Sequence, residues 1–137
     1  MKRIAINGFG RIGRAAFKIA LEKPDLEVVA INDLADTKTL AHLLKYDTAY
    51  GHYRYPVVAE EGGIRVRGKL YPVLLEKDPL KLPWKDFGVD VVLECTGRFV
   101  DKDSSSAQHI TAGARAVILS APAKGGGEDV KTFLMGV

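Results

Sequence analysis

Hydrophobic and polar positions change their period along the chain, and each change marks an element. Lys2 to Asn7 is β-rich and weakly alternating, which predicts a strand. From Gly10 to Lys23 the period lengthens. Ile12, Ala16, Ile19, Ala20 and Lys23 fall on one helical face, with Arg14, Lys18 and Glu22 largely opposite. Pro24-Asp25 ends that helix. Glu27 to Asn32, EVVAIN, is a continuous apolar run of the kind that parallel sheets bury on both faces. Asp36 is placed to cap a helix through Lys45, with Leu40, Leu43 and Leu44 on one side. The chain to Lys45 therefore reads strand, helix, strand, helix, with short connections and a right-handed crossover.

Beyond that point the strand-like stretches become shorter. They run from Tyr53 to Ala59, Ile64 to Arg67 and Lys69 to Leu75, with turn signals at Glu61-Gly62-Gly63 and Gly68. This pattern predicts an antiparallel insertion around residues 53–71 that feeds back into the main sheet. Leu80 to Phe87 is an irregular link holding Pro83 and Trp84, and Val89 to Glu94 is another buried strand. Asp103 is expected to cap a helix to about Ala112, with Gly113 as its stop. Ala114 to Ser120 reads as a strand, Ala121 to Asp129 as a Gly-rich loop and Val130 to Gly136 as a last strand. No internal repeat or linker divides residues 1–137. The fold class expected is α/β, a doubly wound, mostly parallel sheet.

Composition narrows the function classes. Hydrophobic residues at 47% supply a core, and the net charge of +3 suits an anionic ligand or partner without identifying nucleic acid. The basic residues are scattered among acids rather than gathered in a stripe with interleaved aromatics, which disfavours an RNA-binding role. A single cysteine, Cys95, excludes an intrachain disulfide and reads as a reducing, cytoplasmic setting. The N-terminus lacks the pattern of a signal peptide, and no apolar run approaches the length of a membrane span.

The strongest chemical signal is INGFGRIGR at residues 6–14. Gly8, Gly10 and Gly13 form a G-x-G-x-x-G between a predicted strand and a predicted helix. In a Rossmann-type unit the first glycine allows a tight turn, the second lets a pyrophosphate approach the backbone, and the third lets helix and strand pack closely. The helix N-terminus then faces the phosphates. Asp33 stands 20 residues after Gly13, where the fingerprint wants an acid to bind a ribose. A carboxylate there would repel the 2′-phosphate of NADP. The plain alternative is a Gly-rich turn with no ligand, but strand, helix, second strand and acid all in register favour a dinucleotide. The backbone N–H groups of Arg11 and Ile12 are better phosphate donors than the Arg11 and Arg14 side chains, which such positions usually leave in solvent or in surface ion pairs.

INGFGRIGR is followed by INDL at 31–34, HLLKYDTAYG at 42–51, ECTGRF at 94–99, ILSAPAKG at 118–125 and MGV at 135–137. In this order and spacing the chain resembles phosphorylating glyceraldehyde-3-phosphate dehydrogenase, over that family's N-terminal, cofactor-binding part. The resemblance implies a glycolytic oxidoreductase with NAD as cofactor. It puts Asn7, Gly8, Gly10, Arg11, Ile12 and Gly13 at the pyrophosphate, and Asn32 and Asp33 at the adenosine ribose. It puts Leu34 and Phe99 on either side of the adenine, Thr96 and Gly97 in the same cleft, and Ser120 near the nicotinamide-side ribose. Lys77 departs from the arginine usual in the family; it keeps the charge and loses the planar fork. Each has a plainer alternative: Phe99 as core, Thr96-Gly97 as a strand-ending turn, Asn32 as a strand end, Lys77 and Ser120 as surface residues.

The resemblance also implies chemistry that this chain does not carry. The family's nucleophile lies in a Ser-Cys-Thr-Thr-Asn stretch, absent here, as are its catalytic histidine and substrate-phosphate residues. The expectation is an NAD-binding domain over 1–137 that binds cofactor without catalysis. Its expected partners are a catalytic half and other subunits, since the family resembles homotetramers. Cys95 ends a buried strand beside Glu94 and is not placed as a nucleophile. His42, His52 and His109 are scattered, so no metal site is expected. Lys124-Gly125-Gly126-Gly127 lacks the order of a P-loop. An erythrose-4-phosphate dehydrogenase domain and a stand-alone nucleotide-binding module are the alternative functions.

Overall fold

The computed structural model describes residues 1–47, 51–98, 106–121 and 131–136. The first four elements are β1 (Lys2–Asn7), α1 (Arg11–Ala20), β2 (Leu26–Asn32) and α2 (Thr37–Lys45). Then come β3 (Tyr46–Asp47), β4 (Gly51–His52), β5 (Val57–Glu60), β6 (Gly63–Val66) and β7 (Lys69–Leu74). A 3₁₀ turn at Pro79–Lys81 precedes β8 (Val91–Glu94), α3 (Ser106–Thr111) and β9 (Ala116–Leu119). One sheet has seven strands in the order β5-β6-β7-β2-β1-β8-β9, and β3 pairs with β4 separately. Strand β1 runs parallel to both β2 and β8, and β8 parallel to β9. Strand β6 runs antiparallel to both β5 and β7, yet β7 joins β2 in parallel, so the insertion does return to the main sheet.

Alternation along β1 divides the core between two faces. Ile4 and Ile6 point toward Phe17 and Ala20 of α1 and Leu40, Ala41 and Leu44 of α2. Ala5 points the other way, toward Trp84, Leu82, Val89, Val92 and Ala114. Between β1 and β2 the register slips, from Ile4 opposite Val28 to Ala5 opposite Ala30. The bulge places Val29 and Ala30 together on the Trp84 side. Both faces are thus covered, which is why the central strands read as unbroken apolar runs. Phe17 anchors the first face by edge-to-face contacts with Phe9 and Tyr71, at ring separations of 5.5 and 5.0 Å.

The helix after the glycines forms as expected, but its buried face is a different one. Gly13, Phe17 and Ala20 face the sheet, while Ile12 and Ile19 are 58% and 60% exposed. Gly13 decides this. A side chain there would strike the Gly8 carbonyl oxygen, so the bare position is where α1 meets β1. The isoleucines, one position away in sequence, are turned out by about 100°. In α2 the Asp36 carboxylate accepts from the Thr39 N–H at 2.7 Å as a true N-cap, and Leu40 and Leu44 are buried while Leu43 faces outward.

Other boundaries shift. Residues 53–56 form no strand and bend at Arg54 and Tyr55, so the first strand of the insertion starts only at Val57. Pro56 has no N–H for a ladder, and the Tyr53 N–H bonds back to the Lys45 carbonyl at 2.8 Å. The short pair β3–β4 has no counterpart in the pattern reading. Lys131–Gly136 form no strand, and Phe133, Leu134 and Met135 are exposed. A lone segment without a neighbouring ladder has no reason to be extended. The expected Asp103 cap and most of the Gly-rich loop fall outside the described residues.

Candidate functional site

Strands β2, β1 and β8 end in register, and each ends on a polar residue. Asn32 lies opposite Asn7, and Asn7 opposite Glu94. The three side chains form a bonded row across the carboxyl edge of the sheet. Asn32 Nδ2 donates to Asn7 Oδ1 at 2.7 Å, and Asn7 Nδ2 donates to Glu94 Oε2 at 2.6 Å. Asn32 also donates to the Glu76 carbonyl and accepts from the Glu76 N–H. It therefore ties β2 to the segment that carries Lys77. This edge lies where the chain leaves β1 for β2 on one side and returns as β8 on the other. Open α/β sheets bind ligands at such a switch point.

The glycine-rich turn stands over this edge. Gly8 has φ +94°, and a Cβ on it would come within 2.7 Å of the Thr96 nitrogen. The residue must therefore be bare both for its conformation and for the close pass of Cys95 and Thr96, just after β8. Gly10, the N-cap of α1, is different: a Cβ on it would meet nothing within 4 Å. No side chain caps α1, so its first-turn N–H groups project unpaired by protein side chains from the end where Gly10 sits. Asp33 holds the turn from the other side. Its Oδ2 accepts from the Phe9 N–H at 2.7 Å and its Oδ1 from the Ala35 N–H at 2.9 Å. Each oxygen keeps a lone pair for a further donor. The Arg14 guanidinium donates to the Phe9 carbonyl at 3.0 Å, bracing the turn from within.

A cleft of about 490 Å³ opens here, lined by Asn7, Gly8, Gly10, Asn32, Asp33, Leu34, Glu76, Lys77, Cys95, Thr96 and Arg98. That volume lies within the range of small-molecule sites. Leu34 offers an exposed apolar surface on its rim, and Lys77 and Arg98 are exposed cations. Arg11 and Ile12 lie on the first turn of α1, beside the cleft rather than in its lining, and Gly13 is buried beneath it. Gly97, at φ +72°, and Ser120 lie next to lining residues Thr96 and Cys95. Phe99 falls outside the described residues. Glu76, Cys95 and Arg98 line the cleft although the pattern reading gave them no ligand role. Their signal was adjacency to Lys77, Thr96 and Gly97.

Cys95 is half-buried, and its burial pushes the thiol pKa up; a Ser120 hydrogen bond opposes this and the Glu94 charge adds to it. Raising the pKa disfavours the thiolate, so the described groups around Cys95 do not activate it. Among the described residues, no three His, Cys, Asp or Glu side chains group as a metal site would need. No described helix is long and apolar enough to cross a membrane.

Residues 2–102 match the family model described as glyceraldehyde 3-phosphate dehydrogenase, NAD binding domain. The chain belongs to this family. Its cofactor is accordingly NAD. The chain is 55% identical over 137 residues to a glyceraldehyde-3-phosphate dehydrogenase of Clostridium acetobutylicum. It is 54% identical over 137 residues to glyceraldehyde-3-phosphate dehydrogenase 1 of Bacillus cereus, and 54% over 136 to the Thermotoga maritima enzyme. These matches take in all or 98% of the chain but 40% of each relative, so the chain spans about two fifths of their length.

The cleft fits an NAD-binding domain on its own geometry. A dinucleotide carries two phosphates, and the bare Gly10 beside an uncapped helix N-terminus leaves room and N–H donors for them. A ribose diol needs an acceptor, which the Asp33 carboxylate could provide, and an adenine needs an apolar surface, for which the exposed Leu34 is available on the cleft.

Proposed function

We propose that the cleft binds NAD with its pyrophosphate at Gly10 and the first turn of α1, and its adenosine ribose on Asp33. The chain is then the cofactor-binding part of a phosphorylating, glycolytic aldehyde dehydrogenase whose hydride acceptor is NAD. The observation that carries this reading is the Asp33 carboxylate at the end of β2. It is anchored by two backbone N–H groups and opens on a cleft shared with Gly10. Leu34 and Phe99 flank the adenine in this reading, and Lys77 lies beside it. Thr96, Gly97 and Ser120 line the path toward the nicotinamide.

The carboxylate should discriminate between cofactors. Calorimetric titration is expected to show NAD binding more tightly than NADP, because a 2′-phosphate beside Asp33 places like charges together. Asp33→Ala should weaken NAD by about 1.5–3 kcal/mol, as expected for a hydrogen bond to a charged group. It should also narrow the gap to NADP. The same substitution releases the Phe9 and Ala35 N–H groups, and Asp33→Asn, whose amide oxygen keeps an acceptor for one of them, removes the charge with less loosening of the turn. Equal or tighter binding of NADP by the unaltered chain would refute the assignment.

Aldehyde oxidation needs more than this cleft. A hemithioacetal on an activated cysteine would supply the hydride, and Cys95 is held in its thiol form. The 137-residue chain alone is expected to yield no NADH from glyceraldehyde 3-phosphate and inorganic phosphate, followed by nicotinamide absorbance. Turnover by the chain alone, lost on Cys95→Ser, would overturn this reading of the cysteine. In this reading the partners are a catalytic half and other subunits, and the cofactor-binding role is a cytoplasmic one.

A further inference from the structure

Behind the bonded row at the sheet edge lies a second layer that never reaches the cleft. His109 of α3 is fully buried, and its Nε2 lies 2.6 Å from Glu94 Oε2. On its other side, Trp84 Nε1 donates to His109 Nδ1 at 2.9 Å. The indole N–H can only donate, so Nδ1 accepts and the ring proton sits on Nε2, pointing at Glu94. The 3.4 Å approach of Asn7 Nδ2 to His109 Nε2 is then a packing contact between two donors.

Glu94 collects four donors. Asn7 and His109 share Oε2, while the Thr96 N–H and hydroxyl share Oε1 at 3.1 and 2.5 Å. Only a carboxylate can accept so many with two atoms, and a neutral amide would turn an N–H toward one of them. Three of these donors, the Asn7 amide and the N–H and hydroxyl of Thr96, belong to residues that line the cleft, and Asn7 in turn accepts from Asn32, which lines it too. A buried network of this kind rigidifies only when all of it is satisfied.

We infer that His109 is a positioning residue for the cofactor cleft. Locked in one tautomer by Trp84, it fixes the Glu94 carboxylate, which in turn sets the Asn7 amide and the Thr96 turn at the cleft floor. The consequence for affinity rests on the NAD reading above; the consequence for Asn7 does not. His109 touches no cofactor in this role and acts entirely through Glu94.

His109→Leu keeps an apolar side chain in the pocket and deletes both hydrogen bonds. His109→Gln restores an acceptor for Trp84 and a donor for Glu94. Two quantities decide the outcome: NAD affinity, and the side-chain amide NMR signals of Asn7 in isotopically labelled chain. The folded His109→Leu variant is expected to bind NAD about tenfold more weakly, the loss of roughly one or two net hydrogen bonds of preorganisation. Its Asn7 amide signals should shift, and His109→Gln should return both readings toward the unaltered protein. A merely structural histidine would lower the melting temperature and leave the affinity of the folded chain unchanged. Unmoved Asn7 signals and affinity in folded His109→Leu, or no recovery in His109→Gln, would overturn the inference. If His109→Leu fails to fold, Trp84→Phe, which removes the indole donor along with part of the buried ring, is judged in its folded form by the same two readings. If the unaltered chain does not bind NAD, the cofactor reading fails and the Asn7 signals alone judge His109.

Discussion

Gly10→Val is expected to abolish NAD binding while leaving the domain folded. Gly10 has φ −78° and ψ −158°, an extended conformation open to any residue. Its missing side chain would touch no protein atom within 4 Å, so the protein itself does not require glycine there. Stability should change by no more than about 0.5 kcal/mol, as for other substitutions in open space. The branched side chain would instead fill the space beside the N–H groups of α1. Losing two charge-assisted bonds to phosphate there would cost about 3–6 kcal/mol, a hundredfold or more in affinity. Circular dichroism beside a calorimetric titration separates the two effects. Normal binding by the valine variant would mean that the pyrophosphate does not lie at Gly10.

That contrast also explains what was legible in the sequence. INGFGRIGR announces a strand, a turn and a helix because local rules set all three: an apolar run, a positive-φ glycine and a helical period. Asp36 is legible for the same reason, since a cap is formed with a residue three positions away. The face of α1 is not local. Counting apolar side chains selects Ile12 and Ile19, whereas the packing is decided by the residue with no side chain at all. The glycine pattern already contained the answer, because its third glycine exists for close helix–strand contact.

The site divides in the same way. Asp33 is legible because it follows the second strand at a fixed distance from the glycines. His109 is not, because Glu94 is 15 residues away in sequence, Trp84 is 25 away, and Asn7 is 102 away. Nothing in the neighbourhood of His109 distinguishes it from an ordinary helix residue. The nearest hint is that RIAIN, EVVAIN and VDVVLE each close an apolar strand on a hydrogen-bonding side chain. Register turns those three endings into one row, and register is a property of the sheet.

Gly13→Ala is expected to damage the fold where Gly10→Val does not. A Cβ at position 13 would overlap the Gly8 carbonyl oxygen, and would also lie 3.1 Å from the Gly8 carbonyl carbon and 3.2 Å from Ile6 Cγ2. The obstacle is backbone and cannot rotate aside. Nor can Gly8 retreat: its N–H is bonded to the Asn32 carbonyl at 2.8 Å, and behind it the Thr96 nitrogen already leaves no room for a side chain. So α1 must lift, pulling Phe17 from its contacts with Phe9 and Tyr71. Overpacking of this kind costs up to about 3 kcal/mol or more, and alanine's better helix propensity returns only about 1 kcal/mol. A net loss of about 2 kcal/mol or more is a large share of the roughly 5–15 kcal/mol that holds a domain folded. Urea unfolding should show the midpoint falling sharply for Gly13→Ala and staying in place for Gly10→Val. An alanine variant as stable as the unaltered chain would mean that α1 does not rest on the Gly8 carbonyl, and with it the placement of the helix N-terminus over the cleft would fail.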